Sequence, residues 1–275
     1  MKEEIKSLYS QKEQLLLTKL DKLFVEWQKR WDGENGWFIR DGFYPGYLGS
    51  RKKILFFARD CYDMYELADE DYGCYISTFI PQYAEGLLNG PNGRKKSING
   101  VKFHKLLIQV AYGILQGDNA PLAWSDIPYA RDICETGQMF RDVSFGFMEL
   151  GKLSHESCDP AGTGADWEKI STSVSFSTNG DNLLRREIDL LAPDLIIGMN
   201  LNDNPDGKDY YSIVFGKDIS KAALEISDCS VYQIHLTPKK SIPLLDCWHF
   251  SGRFSEEKYI WEPICEALAA LNFYQ

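Results

Sequence analysis

Histidine is scarce in this chain and poorly spaced for metal chemistry. The 275 residues hold only four, at positions 104, 155, 235 and 249, and none falls in an H-x-x-x-H or H-E-x-x-H pattern. The seven cysteines, at 61, 74, 134, 158, 229, 247 and 265, include no C-x-x-C pair, which excludes zinc-ribbon and iron–sulfur spacings. The nearest metal candidate, His155 with Cys158 and Asp159, sits in a loop and reads as chance proximity, so neither a metal nor a cofactor is expected. The G-x-S-x-G elbow, the G-x-x-x-x-G-K-[ST] phosphate loop and the strand-borne G-x-G-x-x-G are all missing. No apolar run approaches the length of a membrane span. An odd, irregularly spaced set of cysteines without a signal-peptide pattern makes reduced thiols and a cytoplasmic location the expectation. A formal charge of −10 excludes a protein that coats nucleic acid nonspecifically, because phosphate binding needs a basic surface. It leaves room for one local patch, GRKKSINGVKFHK, with Arg94, Lys95, Lys96, Lys102 and Lys105, for which a solvated loop is the plainer reading.

Aromatic residues, by contrast, are plentiful: 15 Tyr, 15 Phe and 7 Trp, suited to cores first and to stacking a flat ligand second. Residues 3–31 read as one amphipathic helix, with Leu15, Leu16, Leu20, Leu23, Phe24 and Trp27 at three- and four-residue steps and the turn residues DGENG after it. KKILFFARDCYD predicts a buried strand over 53–58. Residues 64–90 give no clear pattern before a Gly-Pro turn. A helix is expected over 101–117 with Gly117 as its C-cap, a second strand over 142–150, and a long loop after it. NLLRREIDLLAPDLIIGMN is the clearest unit: a helix over 182–191, a break at Pro193 and a strand over 195–199, half of a βαβ crossover. A strand over 229–236, a turn over 245–254 and a closing helix capped by Ser255 complete the chain. Strands alternating with helices predict an α/β sandwich with a mainly parallel sheet, in a single domain over 1–275 whose N-terminal helix packs on a core of about 37–270.

In open sheets of this kind ligands sit beyond the carboxyl ends of the strands. Those ends carry Arg59-Asp60-Cys61-Tyr62, Glu149 to Lys152, Asn200 to Asp203 and, further on, Trp248-His249-Phe250-Ser251. Asp60 suits a general base or the stabiliser of a developing cation, and His249 suits a donor to a leaving oxyanion. Each taken singly is more simply a helix cap or a core histidine. Together, at the ends of strands in one sheet, they make a candidate pair.

This layout resembles the uracil-DNA glycosylase superfamily, whose first strand ends in a short loop bearing a water-activating acid, Gly-Gln-Asp-Pro-Tyr-His in the best-known branch. ARDCYD keeps the Asp and the Tyr in that position, WHFSGRF keeps the first and third residues of the family's His-Pro-Ser loop, and LLRREIDLLAPDLIIGMN looks like its penultimate helix–Pro–strand element. The resemblance covers about residues 37–270. It implies a three-layer α/β/α sandwich and N-glycosidic hydrolysis of a nucleobase in DNA or in a nucleoside. It also implies that Asp60 and His249 are catalytic, with Arg59, Tyr62, Glu149, Asn200, Phe250, Ser251 and Arg253 around the substrate and Tyr62, Phe79 or Phe250 stacking on a flipped base. The departures are chemical. Cys61 and Phe250 replace the family's prolines, and Glu149 stands where the family often has an Asn that reads the base. An ionised Glu149 accepts hydrogen bonds only, whereas an amide also donates. Beside the enzyme reading stand two others: a noncatalytic module that binds a nucleotide-like ligand, and a complex-forming protein with a decayed site. Nothing in the sequence sets the oligomeric state.

Overall fold

Two runs of continuously apolar residues become the centre of the sheet. Ile54–Ala58 and Leu195–Met199 are buried throughout, as strands covered on both faces must be. The computed structural model describes residues 3–31, 37–62, 74–90, 93–155, 165–237 and 240–275, apart from the side chains of Trp37, Cys61, Tyr62 and His155. The DGENG turn, Pro91 of the Gly-Pro turn and the Cys158 and Asp159 of the metal candidate therefore lie outside the described residues.

The strands are β1 (Trp37–Phe38), β2 (Gly42–Phe43), β3 (Ile54–Tyr62), β4 (Leu87–Asn89), β5 (Lys95–Ser97), β6 (Gly146–His155), β7 (Leu195–Met199), β8 (Ile219–Lys221), β9 (Cys229–Thr237) and β10 (Lys240–Cys247). The helices are α1 (Glu3–Lys6), α2 (Gln11–Arg30), α3 (Tyr75–Glu85), α4 (Lys102–Leu115), α5 (Ala130–Glu135), α6 (Trp167–Thr178), α7 (Leu183–Leu191), α8 (Tyr210–Phe215) and α9 (Glu262–Ala270). The fold is mixed α/β around a sheet of order β1-β6-β3-β7-β10-β9-β8, with β2 also paired to β6 and a separate β4–β5 ribbon. Its four central strands, β6-β3-β7-β10, run parallel, and the flanking pairs are antiparallel. No helix among the described residues is long and apolar enough to cross a membrane.

Several expected boundaries move for identifiable reasons. The N-terminal helix is two: Ser10 opens α2 with a capping box, its side chain accepting from the Glu13 N–H while Glu13 accepts from the Ser10 N–H. Leu16, Leu20, Leu23, Phe24 and Trp27 face the core, but Leu15 is 66% exposed. Gln116, not Gly117, caps α4. β6 starts at Gly146 and runs on to His155, so Lys152 lies within a strand and not in a loop. β10 fills part of the expected turn, and its Pro243 stands opposite Gln233 of β9, one residue before parallel pairing with β7 begins at Leu244. A proline needs only such a position, where one neighbour is spared. The helix–Pro–strand unit stands as read: Asn182 accepts from the Arg185 N–H at 2.9 Å to open α7, Ala192 turns left-handed to end it, and the Asp194 carboxylate accepts from the Lys53 N–H at 3.0 Å beside β3.

A buried ion cluster braces β6. The Lys152 ammonium, 1% exposed, donates to Asp41 Oδ1 at 2.7 Å and Oδ2 at 2.5 Å and to Glu187 Oε2 at 2.8 Å. Burial alone would lower the Lys152 pKa, but Asp41 and Glu187 push it up to about 12. Burial and the nearby Asp41 carboxylate push Glu187 well above the usual carboxylate range. Asp41 Oδ2 also accepts from the Glu149 N–H at 2.6 Å, which ties this cluster to the first half of β6.

Candidate functional site

β3, β6, β7 and β10 deliver their carboxyl ends to one edge of the molecule. Ala58 pairs with Glu149, Asp60 with Gly151 and Met199 with Cys247. The chain leaves β3 for β6 on one side and then returns past β3 to β7 and on to β10, so the connections diverge at the β3–β7 crevice, where open α/β sheets bind ligands. Arg59 is the hub of the charges there. Its guanidinium interacts with Asp60, Asp203, Glu149 and Asp246, and it depresses the pKa of His249. Burial lowers the Arg59 pKa against the pull of those acids. Its guanidinium carbon lies 5.7 Å from the Trp167 ring centroid, and its Nε is sealed from solvent without a hydrogen-bond partner among the described residues.

Glu149 is 3% exposed and its Oε2 is buried without a hydrogen-bond partner among the described residues. Burial raises its pKa well above the usual range and Asp60 and Asp41 add to this, outweighing Lys152 and Arg59. The shift favours the neutral form, and a neutral acid both donates and accepts. It thereby regains the donor that an ionised Glu149 would lack.

His249 is held as a neutral base. Its Nδ1 accepts from the Ser251 N–H at 3.3 Å and lies 2.7 Å from Ser251 Oγ, which leaves Nε2 to carry the proton as a donor. Burial, reinforced by Arg59, lowers its pKa to about 3. The ring stacks on Phe103 with centroids 5.7 Å apart and planes at 21°. Lys102 fixes the loop that follows: its ammonium donates to the carbonyls of Gly252 and Phe254 and lies 4.4 Å from the Phe254 ring centroid.

Asp246, at the end of β10, escaped the sequence reading, because a lone Asp before Cys-Trp-His carries no motif. Its Oδ1 accepts from the Tyr211 hydroxyl at 2.6 Å, the Asn200 N–H at 2.9 Å and the Leu201 N–H at 3.4 Å. Burial nonetheless raises its pKa to about 6. Gly198 makes this possible, since a Cβ there would overlap the Tyr211 hydroxyl as it crosses β7. Trp167 and Phe103 were also missed; only the fold carries their rings to Arg59 and His249.

The other predicted site residues are placed as follows. Asn200 has a left-handed φ of 59°, and its side-chain amide donates to Asp203 at 3.0 Å. Ser251 holds His249, and Arg253 is exposed. Phe250 is fully buried and packs edge-on against Phe56 with centroids 5.8 Å apart, in the core beneath the site. Phe79 packs on His104 at 4.5 Å. The Tyr62 side chain lies outside the described residues. The basic segment is largely spoken for: Lys95 pairs with Glu85, Lys105 with Glu256 at 2.6 Å, and Lys102 serves the Phe254 loop. Among the described residues no group of three or more His, Cys, Asp or Glu is placed to hold a metal ion. Compared with protein-family models, curated proteins and solved structures, the chain matches none, so its function is read from the chemistry of this site.

Proposed function

We propose that the cluster at the strand ends binds a nucleobase or a similar ring and hydrolyses its N-glycosidic bond, within a three-layer fold akin to that of the uracil-DNA glycosylase superfamily. The observation that carries the reading is the register that sets Ala58 beside Glu149 and Asp60 beside Gly151 at one sheet edge, with His249 following β10 there and the Arg59 charge coupled to all three groups. Each has a role that its environment supports. Asp60 orients water and faces the developing sugar cation. A neutral His249 donates Nε2–H to the departing base, as a preorganised donor whose proton is not lost at neutral pH. A neutral Glu149 offers O–H and C=O side by side, complementary to the C=O and N–H of a cyclic amide. The substrate end favours a nucleoside or another small glycoside over duplex DNA, because Asp60, Asp203 and Asp246 surround Arg59 while Lys95 and Lys105 of the basic segment are paired with Glu85 and Glu256.

A second reading, binding without catalysis, is favoured by Arg59 itself. A guanidinium beside Asp60 offsets the negative charge that an oxocarbenium-like transition state needs. Incubation with free nucleosides and with oligonucleotides containing uracil or hypoxanthine, scored for released base, separates the two. Hydrolysis that falls about 10²-fold or more in Asp60→Asn supports the enzyme. Saturable binding of the same nucleosides without turnover supports the module, and neither binding nor release sinks both.

A further inference from the structure

Beside this cluster two cysteines lie within reach of one another. Cys229 opens β9 and Cys247 closes β10, directly opposite in the antiparallel register, with their sulfurs 3.6 Å apart. Both line a polar pocket of about 230 Å³ together with Asn200, Asp246, Asp228 and Trp248. Cys229 is 6% exposed and Cys247 is 2% exposed, so the pocket is the route by which a small reagent meets them. Cys229 and Cys247 are free thiols, as are Cys74, Cys134 and Cys265.

We propose that Cys229 and Cys247 form a peroxide-responsive dithiol, a reversible oxidation site next to the ligand cluster. The two thiols have distinct roles. The Cys247 S–H donates to the Cys229 sulfur, which makes Cys229 the group that bears the developing thiolate and Cys247 the resolving thiol. A hydroperoxide small enough for the pocket is attacked at one oxygen by the Cys229 thiolate. The O–O bond breaks, a sulfenic acid forms, and the second oxygen leaves as water or an alcohol after taking up a proton. Cys247 then attacks the Cys229 sulfur, its proton and the sulfenic hydroxyl depart together as water, and a disulfide remains. Two thiols are oxidised and one peroxide is reduced. The sulfurs must close from 3.6 Å to about 2.05 Å, which draws together the ends of β9 and β10. β10 leads from Asp246 through Cys247 and Trp248 to His249, so the closure acts on the same segment that presents the candidate site.

The test uses the full chain, folded and prereduced, treated with hydrogen peroxide, then alkylated and mapped by peptide mass. The expected product is a Cys229–Cys247 linked peptide that a dithiol reductant reverses. Trp248 fluorescence should fall as the disulfide forms, a change absent in Trp248→Phe. Cys247→Ser should stop at a sulfenic acid on Cys229 that dimedone traps, whereas Cys229→Ser should give neither adduct nor crosslink. These readouts do not depend on any activity of the site, so they stand or fall apart from the glycosidase reading. Both thiols remaining alkylatable in folded wild type after peroxide, or crosslinks forming only through other cysteines, overturns the proposal. Dimedone on Cys247 in place of Cys229 overturns the assigned order.

Discussion

At the scale of single residues, burial decides what the charged groups can do. Glu149 carries a carboxyl whose ordinary pKa is 4.5, raised well above that in the fold. The folded chain therefore keeps a proton that the unfolded chain releases, and stability is lost as pH rises from the ordinary value towards the folded one. Glu149→Gln keeps an amide of nearly the same shape and has no proton to lose. Its melting temperature should equal or exceed that of wild type at pH 8, with the gap shrinking towards pH 4, each kcal/mol being worth about 2–4 °C in a chain of this size. A variant less stable than wild type at every pH would mean that Glu149 is ionised. His249 has the opposite sign. Its pKa falls from 6.5 to about 3, so the unfolded chain takes up the proton first and stability is lost as pH falls below 6.5. Nitrogen-detected NMR of the imidazole should show a neutral ring with the proton on Nε2 throughout pH 5–8, and a midpoint within that range would contradict the burial argument.

At the scale of elements, the middle of β6 depends on charges buried far from solvent. Lys152 holds Asp41, and Asp41 in turn accepts the Glu149 backbone N–H. Lys152→Met leaves Asp41 buried without its cation, so denaturant unfolding should show a loss of about 3–5 kcal/mol. A triple change to apolar residues at 41, 152 and 187 should recover much of it, because removing the whole cluster leaves no charge unpaired. A Lys152→Met variant as stable as wild type would show that the cluster contributes nothing net. The sequence displayed such elements unevenly. The α7–Pro193–β7 unit is legible because its signals are local: an Asn cap, a helical period, a proline and five apolar residues. β10 is not, since Pro243 interrupts a short apolar run and only pairing with β7 and β9 makes it a strand. The break at Ser10 is written in the sequence as a capping box, yet the apolar period runs on past it and masks it.

At the scale of the whole molecule, the candidate site is partly legible for the same reason. Asp60 and Glu149 follow apolar runs that mark β3 and β6, whereas His249 follows β10, a strand that no local pattern displays, so the site was readable only in part. Their convergence on Arg59, the rings of Phe103 and Trp167 and the carboxylate of Asp246 arise from the sheet order, which no local pattern encodes. The charge of the chain then sets what can approach that site. A protein of net charge −10 offers a polyanion attraction only where cations are free, and the densest basic segment, 93–105, spends Lys95, Lys102 and Lys105 on Glu85, on the Gly252 and Phe254 carbonyls and on Glu256. At physiological ionic strength the remaining exposed cations act over about 8 Å, too short a range to combine into an extended track. Nonspecific duplex DNA should therefore bind more weakly than about 10⁻⁴ M at 0.15 M salt, the weak end of ordinary nonspecific affinities. Fluorescence anisotropy of a labelled duplex checks this, with salt varied to read the number of phosphates engaged. Tight binding with a steep salt dependence would show that the basic segment is free after all and would return DNA to the front as the substrate. A flat, weak response alongside saturable binding of a nucleoside would place the recognition in the pocket around Arg59 and not on the surface.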